Sequence, residues 1–327
     1  MATYKDIQRE TGLSLATISK HFNGKPVRPA NAVAIQAAAD RLGFRVNPAA
    51  RSLRAGRTNA IGVLLPALDN AFQLQVVAGI ERALRRHGFS LILGVSHSDE
   101  GDGGAVGFLA DRGVDGIIAV PSPDDAAALH ERAEAGTPVV LVDWFVPGIT
   151  GGAVGLDNRA AGRMAARHLA DHGHTQVAVL GGPSTVSSLQ ERAAGFVEGF
   201  GSGVDALGVP PTIEEARRAA TRLLFSERRP TALFTTNYEL TVGALHAVIG
   251  SGLALGRDIS MIGFDAAEFA GLVSPRLTTI VQPTAALAAA AAAELLARLQ
   301  GAPASVAPVL LDAELLPGGS VASPVAR

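Results

Sequence analysis

The sequence predicts a small all-α head joined to a larger α/β core of two lobes, and three observations carry this prediction. Helical patterns with capping residues occupy the first 46 positions. From about residue 59 onward, short apolar runs alternate with amphipathic stretches, which is typical of parallel β-α units. Positive charge is concentrated in the first part of the chain. We therefore divide it into a head at 1–46, a linker at 47–57 and a core at 58–327.

Composition restricts the classes of protein to consider. The 327 residues suffice for two or three domains, and the absence of cysteine excludes disulfides and thiolate chemistry. The amino terminus is polar and charged, unlike a signal peptide, and no apolar run reaches the roughly 18 residues that cross a bilayer. We expect a soluble cytoplasmic protein that has no membrane partner and no cofactor.

The small net charge of −2 conceals a strong asymmetry. Residues 1–58 contain ten Lys and Arg against three Asp and Glu, a net charge of +7, so the other 269 residues carry −9. A basic head on an acidic core is expected to bind a polyanion while the core is repelled by it. A merely solvated basic face is the alternative.

The head has the signals of three helices. Thr3 is suited to cap a helix at 4–10, Ser14 a second at 15–23, and a third is expected at 29–42. This order is that of a helix-turn-helix, whose second helix enters the DNA major groove. An unrelated three-helix bundle is the alternative, but it does not explain the polar, basic outer face. The side chains expected to be buried are Ile7, Ile18, Phe22, Val33, Ile35, Ala38 and Leu42.

The core has a regular β-α alternation, which indicates parallel sheets with ligands at the carboxyl ends of the strands. About a dozen strands exceed one sheet, so we expect two similar lobes with a cleft between them. The clearest strands are predicted at 61–65, 91–95, 116–120, 139–142, 177–180, 232–234 and 260–264. The clearest helices are predicted at 72–87, 159–172, 188–200, 214–222 and 240–251.

Several motifs resemble one protein family. The segment TYKDIQRETGLSLATISKHFNG at 3–24 resembles the head of the LacI/GalR family of bacterial transcriptional regulators. The core resembles the same family through RGVDGII (112–118), GLDN (155–158), HGHTQVAVLGGP (172–183), ERAAGF (191–196), PTALFTTN (230–237), MIGFD (261–265) and SPRLTTIVQP (274–283). The resemblance covers nearly the whole chain. It implies a periplasmic-binding-protein-like core of two Rossmann-like lobes behind the helix-turn-helix head.

The resemblance also implies which head residues contact operator DNA. Leu15, Ala16 and Lys20 are the base-reading positions: Lys20 is suited to donate to guanine, and the two apolar side chains to pack on thymine methyl groups. Small polar side chains suit phosphate contacts, which position the helix without reading sequence. These are Thr3, Ser14, Thr17, Ser19 and Asn23.

The linker has the signals of a short conditional helix. Asn47 is suited to cap it and Pro48 to begin it, but so short a helix is marginal in water by itself. The resemblance implies a hinge helix that orders in the DNA minor groove, with Asn47 and Ala50 at the DNA and Leu53 wedged between base pairs. The alternative is that Leu53 packs on the core as an ordinary linker residue.

Residues at predicted strand ends are candidates for the cleft. They are Asn70, Phe72, Asp143, Trp144, Asp157, Ser184, Arg192, Asn237, Asp265 and Gln282. The resemblance implies that Arg192, Asn237 and Asp265 hydrogen-bond an effector, typically a sugar or nucleobase. Phe72 and Trp144 either stack on a ring of the ligand or belong to the core.

The chain departs from the family pattern at two positions. Tyr238 follows Asn237, and Ala266 follows Asp265, where the family usually has acids. Both departures bear on the identity of the effector.

Other chemistry has weaker support. Three histidines, at 168, 172 and 174, have a spacing suited either to a metal ion or to ordinary structural roles. Neither a complete phosphate loop nor a GxSxG elbow occurs in the sequence. We therefore expect neither a metal nor catalytic residues.

These observations favour a homodimeric transcriptional repressor, not an enzyme, whose operator affinity is controlled by a small molecule, a sugar or related metabolite, in the cleft. The alternative is the same DNA-binding scaffold controlled by a partner protein, with a vestigial cleft. A third hypothesis, a sugar-processing enzyme or transport-binding protein, lacks a catalytic motif and leaves the basic head unexplained.

Overall fold

A computed structural model describes residues 2–45, 57–68, 70–96, 104–146, 148–149, 152–303 and 307–325. The chain forms two compact units, Met1–Thr58 and Asn59–Arg327. Asn47, Ala50 and Leu53 lie outside the described residues, so the hinge helix stays a prediction from sequence.

The head contains three helices, α1 (Tyr4–Thr11), α2 (Leu15–Phe22) and α3 (Pro29–Arg41). The Thr3 backbone N–H donates to Asp6 Oδ2 (2.9 Å) at the start of α1, and Gly12, at φ 69°, ends that helix in the left-handed conformation that glycine tolerates. The head core consists of Ile7, Ile18, Ile35, Ala38 and Ala39, packed beside the aromatic rings of Tyr4, Phe22 and Phe44. The helix-turn-helix arrangement is thus present.

Val33 of α3 and Leu42, the residue after this helix, were expected in this core, and that expectation is wrong. Val33 is 70% exposed and Leu42 is 37% exposed. The inner face of α3 is set by Ile35 and by Ala38 and Ala39, three and four residues further on. Val33 precedes Ile35 by two residues, a rotation of about 200° at 3.6 residues per turn, and so lies on the opposite face.

The first lobe of the core is built on a six-stranded parallel sheet with the order β11-β5-β4-β3-β1-β2. Its strands are β1 (Ala60–Leu65), β2 (Ser90–Val95), β3 (Gly116–Ala119), β4 (Val139–Val142), β5 (Ala153–Leu156) and β11 (Val309–Leu311). Its helices are α4 (Ala71–Arg85), α5 (Gly104–Asp111), α6 (Ala126–Glu134) and α11 (Thr284–Leu299). A 3-10 turn, Pro123–Asp125, precedes α6.

The second lobe repeats this plan with the order β12-β10-β9-β8-β6-β7, in which only the edge strand β12 is antiparallel among the described strands. Its strands are β6 (Val177–Gly181), β7 (Val204–Gly208), β8 (Ala232–Thr235), β9 (Ser260–Phe264), β10 (Thr278–Val281) and β12 (Glu314–Leu316). Its helices are α7 (Asn158–Asp171), α8 (Ser187–Phe200), α9 (Ile213–Leu224) and α10 (Tyr238–Gly250), with a 3-10 turn at Ala270–Leu272.

The chain passes between the lobes three times: after β5, after β10 and after β11. Helix α11 follows the second passage and buries Leu287, Ala288, Ala291, Ala292 and Leu295 in the core of the first lobe. Each lobe is therefore completed by residues from distant parts of the chain.

Helices α7 and α8 pack very closely because glycines lie at their contact. A methyl group at Gly162 would lie 2.0 Å from the carbonyl oxygen of Arg192, and one at Gly195 would lie 2.2 Å from the carbonyl oxygen of Arg159. Neither position has room for a side chain. This packing fixes the backbone that carries Arg192, a residue of the site described below.

The seven strands and five helices predicted most clearly are all present, within two residues at each end. The sequence pattern missed β5, β7, β10, β11 and β12 as strands. These strands are short, contain threonine or acidic residues, or lie at sheet edges with exposed side chains, so their apolar signal is weak. Within the part of the chain that the structure describes, no helix is both long and apolar enough to cross a membrane.

Candidate functional site

The cleft between the lobes is bordered by residues that follow the carboxyl ends of the strands. Asp143 comes directly after β4 in the first lobe, and Asp265 comes directly after β9 in the second. Both have positive φ values, 67° and 54°, which are uncommon for residues other than glycine. Such backbone conformations persist where surrounding contacts enforce them and are enriched at functional sites. The two carboxylates thus occupy equivalent positions in the two lobes.

Arg192 of α8 lies between these carboxylates and is 2% exposed. Its guanidinium donates to Asn158 Oδ1 (2.7 Å), to the Thr236 carbonyl (2.9 Å) and to Asp143 Oδ1 (3.3 Å). It also stacks over the ring of Phe264, 4.0 Å from the centroid. Burial lowers the pKa of Arg192, while the charges of Asp143 and Asp265 raise it. Arg192 is therefore a buried cation held by both lobes.

Asp265 is anchored by Gln282, which follows β10. The Gln282 side-chain amide donates to Asp265 Oδ2 (2.8 Å), and its backbone N–H donates to Asp265 Oδ1 (3.3 Å). Burial raises the pKa of the Asp265 carboxyl to about 6, in spite of the opposing charge of Arg192. The oxygen of the Gln282 side-chain amide, Oε1, is buried and has no donor among the described residues. The residue that anchors Asp265 thus carries a buried acceptor for which the described part of the chain supplies no donor.

Glu239, in the first turn of α10, connects the lobes. Its two carboxylate oxygens accept hydrogen bonds from Asn70 Nδ2 of the first lobe (2.9 Å) and from Asn237 Nδ2 of the second (2.6 Å). Asn70 and Asn237 also cap their own helices, accepting from the N–H groups of Gln73 (3.3 Å) and Leu240 (3.0 Å). The same two asparagines thus start a helix and face the cleft.

The other predicted cleft residues have diverse surroundings. Phe72 is 9% exposed and packs in the apolar core of the first lobe, and Trp144 is partly buried against a neighbouring core cluster. Asp157 caps α7 by accepting from the Ala160 N–H (2.8 Å), and Ser184 lies exposed in the turn after β6. Contact of these four residues with an effector stays a prediction.

Sequence reasoning missed two residues of the site, Asn158 and Glu239. Asn158 directly follows Asp157. Glu239 comes after Asn237, which matches the family pattern, and Tyr238, which departs from it. Tyr238 packs edge-on against Phe269 (5.5 Å between centroids), and Ala266 is fully buried in the lobe core. A carboxylate does enter the cleft from this turn, but from Glu239, one position later than the pattern suggests.

The outer face of α2 presents the predicted base-reading residues. Leu15 is 39% exposed although it is apolar, and Ala16 and Lys20 are exposed as well. Among the polar residues, Ser14 Oγ accepts from the Thr17 N–H (3.2 Å). Asn23 Nδ2 donates to Ser19 Oγ (3.2 Å). These contacts hold the polar side chains in place at the two ends of the helix.

The three histidines lie elsewhere, at the amino edge of the second sheet. His174 is 4% exposed and its Nδ1 pairs with Thr231 Oγ1 (2.8 Å), while His172 Nδ1 pairs with the His168 carbonyl (2.7 Å). A cavity of about 330 Å³ opens beside His174 and Thr231, at the edge of the sheet away from the cleft. No cluster of three metal-ligating side chains occurs among the residues the structure describes.

Comparison with known proteins places this architecture. The family model described as "Periplasmic binding protein-like domain" matches residues 166–321. The chain is 32% identical over 342 residues to the HTH-type transcriptional regulator MalR of Streptomyces coelicolor, covering 97% of this chain and 96% of that one. A LacI family regulator from Enterococcus faecium, solved with bound ribose, is similar with 27% identity and a TM-score of 0.73, covering 81% of this chain and 99% of that one. This chain belongs to the LacI/GalR family.

A second solved member of the LacI/GalR family is similar over the head as well as the core. It is the Lac repressor dimer bound to operator and the anti-inducer ONPF, with 25% identity and a TM-score of 0.84 over 98% of this chain and 99% of that one. The helix-turn-helix head and the two-lobed, periplasmic-binding-protein-like core are therefore those of LacI/GalR transcriptional regulators.

The raised pKa of Asp265 predicts a pH dependence of stability in this LacI/GalR protein. The folded state holds the Asp265 proton up to a pH of about 6, whereas the unfolded chain releases it near 3.8. The stabilisation from this group is complete below the unfolded pKa and is lost as the pH rises through about 6. Asp265→Asn removes this loss.

Urea denaturation of the wild type and Asp265→Asn at pH values of about 4.5 and 7.5 tests the prediction. We compare the unfolding free energy of the variant with that of the wild type at each pH. From the lower to the higher pH, this difference is expected to shift by about 1–3 kcal/mol in favour of the variant. Identical pH profiles for the two proteins would show that Asp265 ionises normally.

Proposed function

We propose that this protein is a cytoplasmic transcriptional repressor whose operator affinity is controlled by a small molecule, a sugar or related metabolite, bound between the lobes of its core. The observation that carries the proposal is the buried Arg192. It donates a hydrogen bond to Asp143 of one lobe and interacts electrostatically with Asp265 of the other. A ligand that changes these contacts changes the relation of the lobes. Allosteric coupling of about 1–3 kcal/mol corresponds to roughly 5–150-fold in operator affinity.

DNA recognition is assigned to the head at 1–46. Its second helix exposes Leu15, Ala16 and Lys20, which form a side-chain set suited to thymine methyl groups and guanine. The net charge of +7 over residues 1–58 supplies the attraction to phosphates. We propose phosphate contacts for the polar side chains Thr3, Ser14, Thr17, Ser19 and Asn23.

The linker at 47–57 is assigned to the hinge between DNA and core. We propose that it forms a helix on operator DNA, with Asn47 and Ala50 at the minor groove and Leu53 inserted between base pairs. A wedge of this kind costs a few kcal/mol of unstacking, which the contacts of a bent duplex offset.

The assembly is proposed to be a homodimer, because one head reads only a half-site. Two-fold symmetry of the protein then requires a pseudo-palindromic operator. The related Lac repressor was solved as a dimer on its operator, which supports this assembly.

A second candidate is the same scaffold controlled by a partner protein, with a vestigial cleft. It is favoured by Glu239, which already accepts a hydrogen bond from the side-chain amides of Asn70 and Asn237, and by the absence of the family's usual acids at Tyr238 and Ala266. The buried acceptor of Gln282, which has no donor among the described residues, favours the small-molecule function instead.

Selection of binding sites from random DNA with the full-length chain, followed by footprinting, tests the DNA-binding part. We expect a pseudo-palindrome of roughly 14–20 base pairs with a flexible pyrimidine–purine step at its centre. Lys20→Ala is expected to relax selection at one symmetric pair of positions and to leave the rest of the site unchanged. Enrichment of an asymmetric site, or of none, would contradict the proposal.

A further inference from the structure

We infer that the cleft selects a polyhydroxyl ligand carrying an amine over one carrying a phosphate or carboxylate, and that Glu239 sets this selectivity. The inference rests on the proposed function, because it assumes that the cleft binds a small molecule. It goes further by giving the ligand a charge and by assigning its recognition to Glu239, which directly follows Tyr238, a position at which this chain departs from its family's pattern.

The first support is the position of Glu239. Its carboxylate accepts from Asn70 of one lobe and Asn237 of the other, so both amides are directed at a protein oxygen. Each of the two amide groups thereby has one N–H fewer to offer to a ligand. The Glu239 carboxylate itself is a negatively charged hydrogen-bond acceptor for a ligand.

The second support is the balance of charge. Among the described residues, the carboxylates of Asp143 and Asp265 lie near the guanidinium of Arg192, and the carboxylate of Glu239 joins the two lobes. Arg192 already uses three of its N–H donors on protein oxygens, at Asn158, Thr236 and Asp143. A phosphate or carboxylate of a ligand would therefore be repelled by the carboxylates and would find few N–H donors still available. An ammonium group would instead be attracted by the same carboxylates and could donate hydrogen bonds to them.

The third support is a pair of buried acceptors without donors among the described residues, Gln282 Oε1 and Gln73 Oε1. Gln282 is 8% exposed and its amide nitrogen is fixed by Asp265, which directs the remaining oxygen away from that partner. Gln73 lies in the first turn of α4, next to Asn70. Buried acceptors are stabilised by hydroxyl or ammonium donors, and an anionic oxygen cannot supply a hydrogen bond to them.

Matched sets of ligands test the inference on the full-length protein. Hexoses, the corresponding hexosamines, and the corresponding hexose phosphates and uronates are titrated by calorimetry after a thermal-shift screen. In the wild type, the amine of the best-binding set is expected to bind at least about tenfold more tightly than the matched anion, because the carboxylates that border the cleft attract an added positive charge and repel an added negative one.

Glu239→Gln is the decisive variant, since it removes the charge and keeps the shape. The preference for amine over anion is expected to fall about tenfold or more. Glu268→Gln is the matched control: Glu268 also crosses between the lobes, accepting from Gln75 Nε2 (2.7 Å), but it is exposed. Its effect on the preference is expected to stay below about twofold because solvent screens its charge. Retained DNA binding verifies that each variant is folded.

Tighter binding of the phosphate or uronate than of the amine by the wild type would overturn the inference and leave the proposed function intact. An unchanged preference in Glu239→Gln would overturn the assignment to Glu239. If no member of any set binds to the wild type or to Glu239→Gln, the proposed small-molecule control of the cleft fails, and the inference fails with it.

Discussion

Replacing Arg192 with alanine is expected to lower the free energy of unfolding by about 3–5 kcal/mol and to abolish ligand binding in the cleft. The substitution leaves Asp143 without its ion-pair partner. It removes the positive charge that lowers the pKa of Asp265 and so stabilises this buried carboxylate. It also removes the donors to Asn158 and the Thr236 carbonyl. Urea denaturation measures the stability, and calorimetry with the ligand found in the screen measures the binding.

Arg159→Ala is the matched control for this prediction. Arg159 makes ion pairs with Glu191 and Glu198 between α7 and α8, but its side chain is 45% exposed. Exposed ion pairs contribute little, so the loss of stability is expected to be much smaller than that of Arg192→Ala, with ligand binding retained. Similar losses for the two variants would show that burial does not distinguish Arg192.

Leu53→Ala is expected to weaken binding to the selected operator by roughly tenfold or more, since a few kcal/mol are at stake when a side chain wedges between bases. Binding to a scrambled duplex should change far less, because non-specific binding depends on phosphate contacts. Titration of both duplexes at one salt concentration gives, for each duplex, the ratio of the dissociation constant of the variant to that of the wild type. The effect tests the hinge assignment directly.

Val33→Ala provides the control for removal of an apolar side chain from the DNA-binding part of the chain. Val33 is 70% exposed on α3, away from the predicted reading face of α2, so neither ratio is expected to change. An equal loss on the operator and the scrambled duplex in Leu53→Ala would contradict the wedge and leave Leu53 as a linker residue.

The fold was largely predictable because buried parallel strands have uninterrupted apolar runs. Strand β8 with the sequence ALFT and strand β9 with SMIGF are completely buried, and both were predicted. Strand β7 has the sequence VDALG and no fully buried residue, which left no apolar pattern to detect. Strands β11 and β12 are close in sequence but belong to different lobes. A local sequence pattern does not show at which point the chain crosses from one lobe to the other.

Candidate residues of the site could be named from the sequence, but the contacts between them could not. Arg192 and its partner Asp143 are 49 residues apart, and their pairing depends on how two lobes face each other. Glu239 was missed because a glutamate in the first turn of a helix is commonly explained by the helix dipole. Its contact with Asn70, 169 residues away, appears only in three dimensions.

The central claim is that a ligand between the lobes controls operator affinity. The most direct measurement is the dissociation constant of the full-length protein for its selected operator, with and without the ligand found by thermal shift, in the wild type and in Arg192→Ala. We expect a change of roughly 5–150-fold in the wild type and none in the variant. Operator binding that every cleft ligand leaves unchanged in the wild type would contradict it.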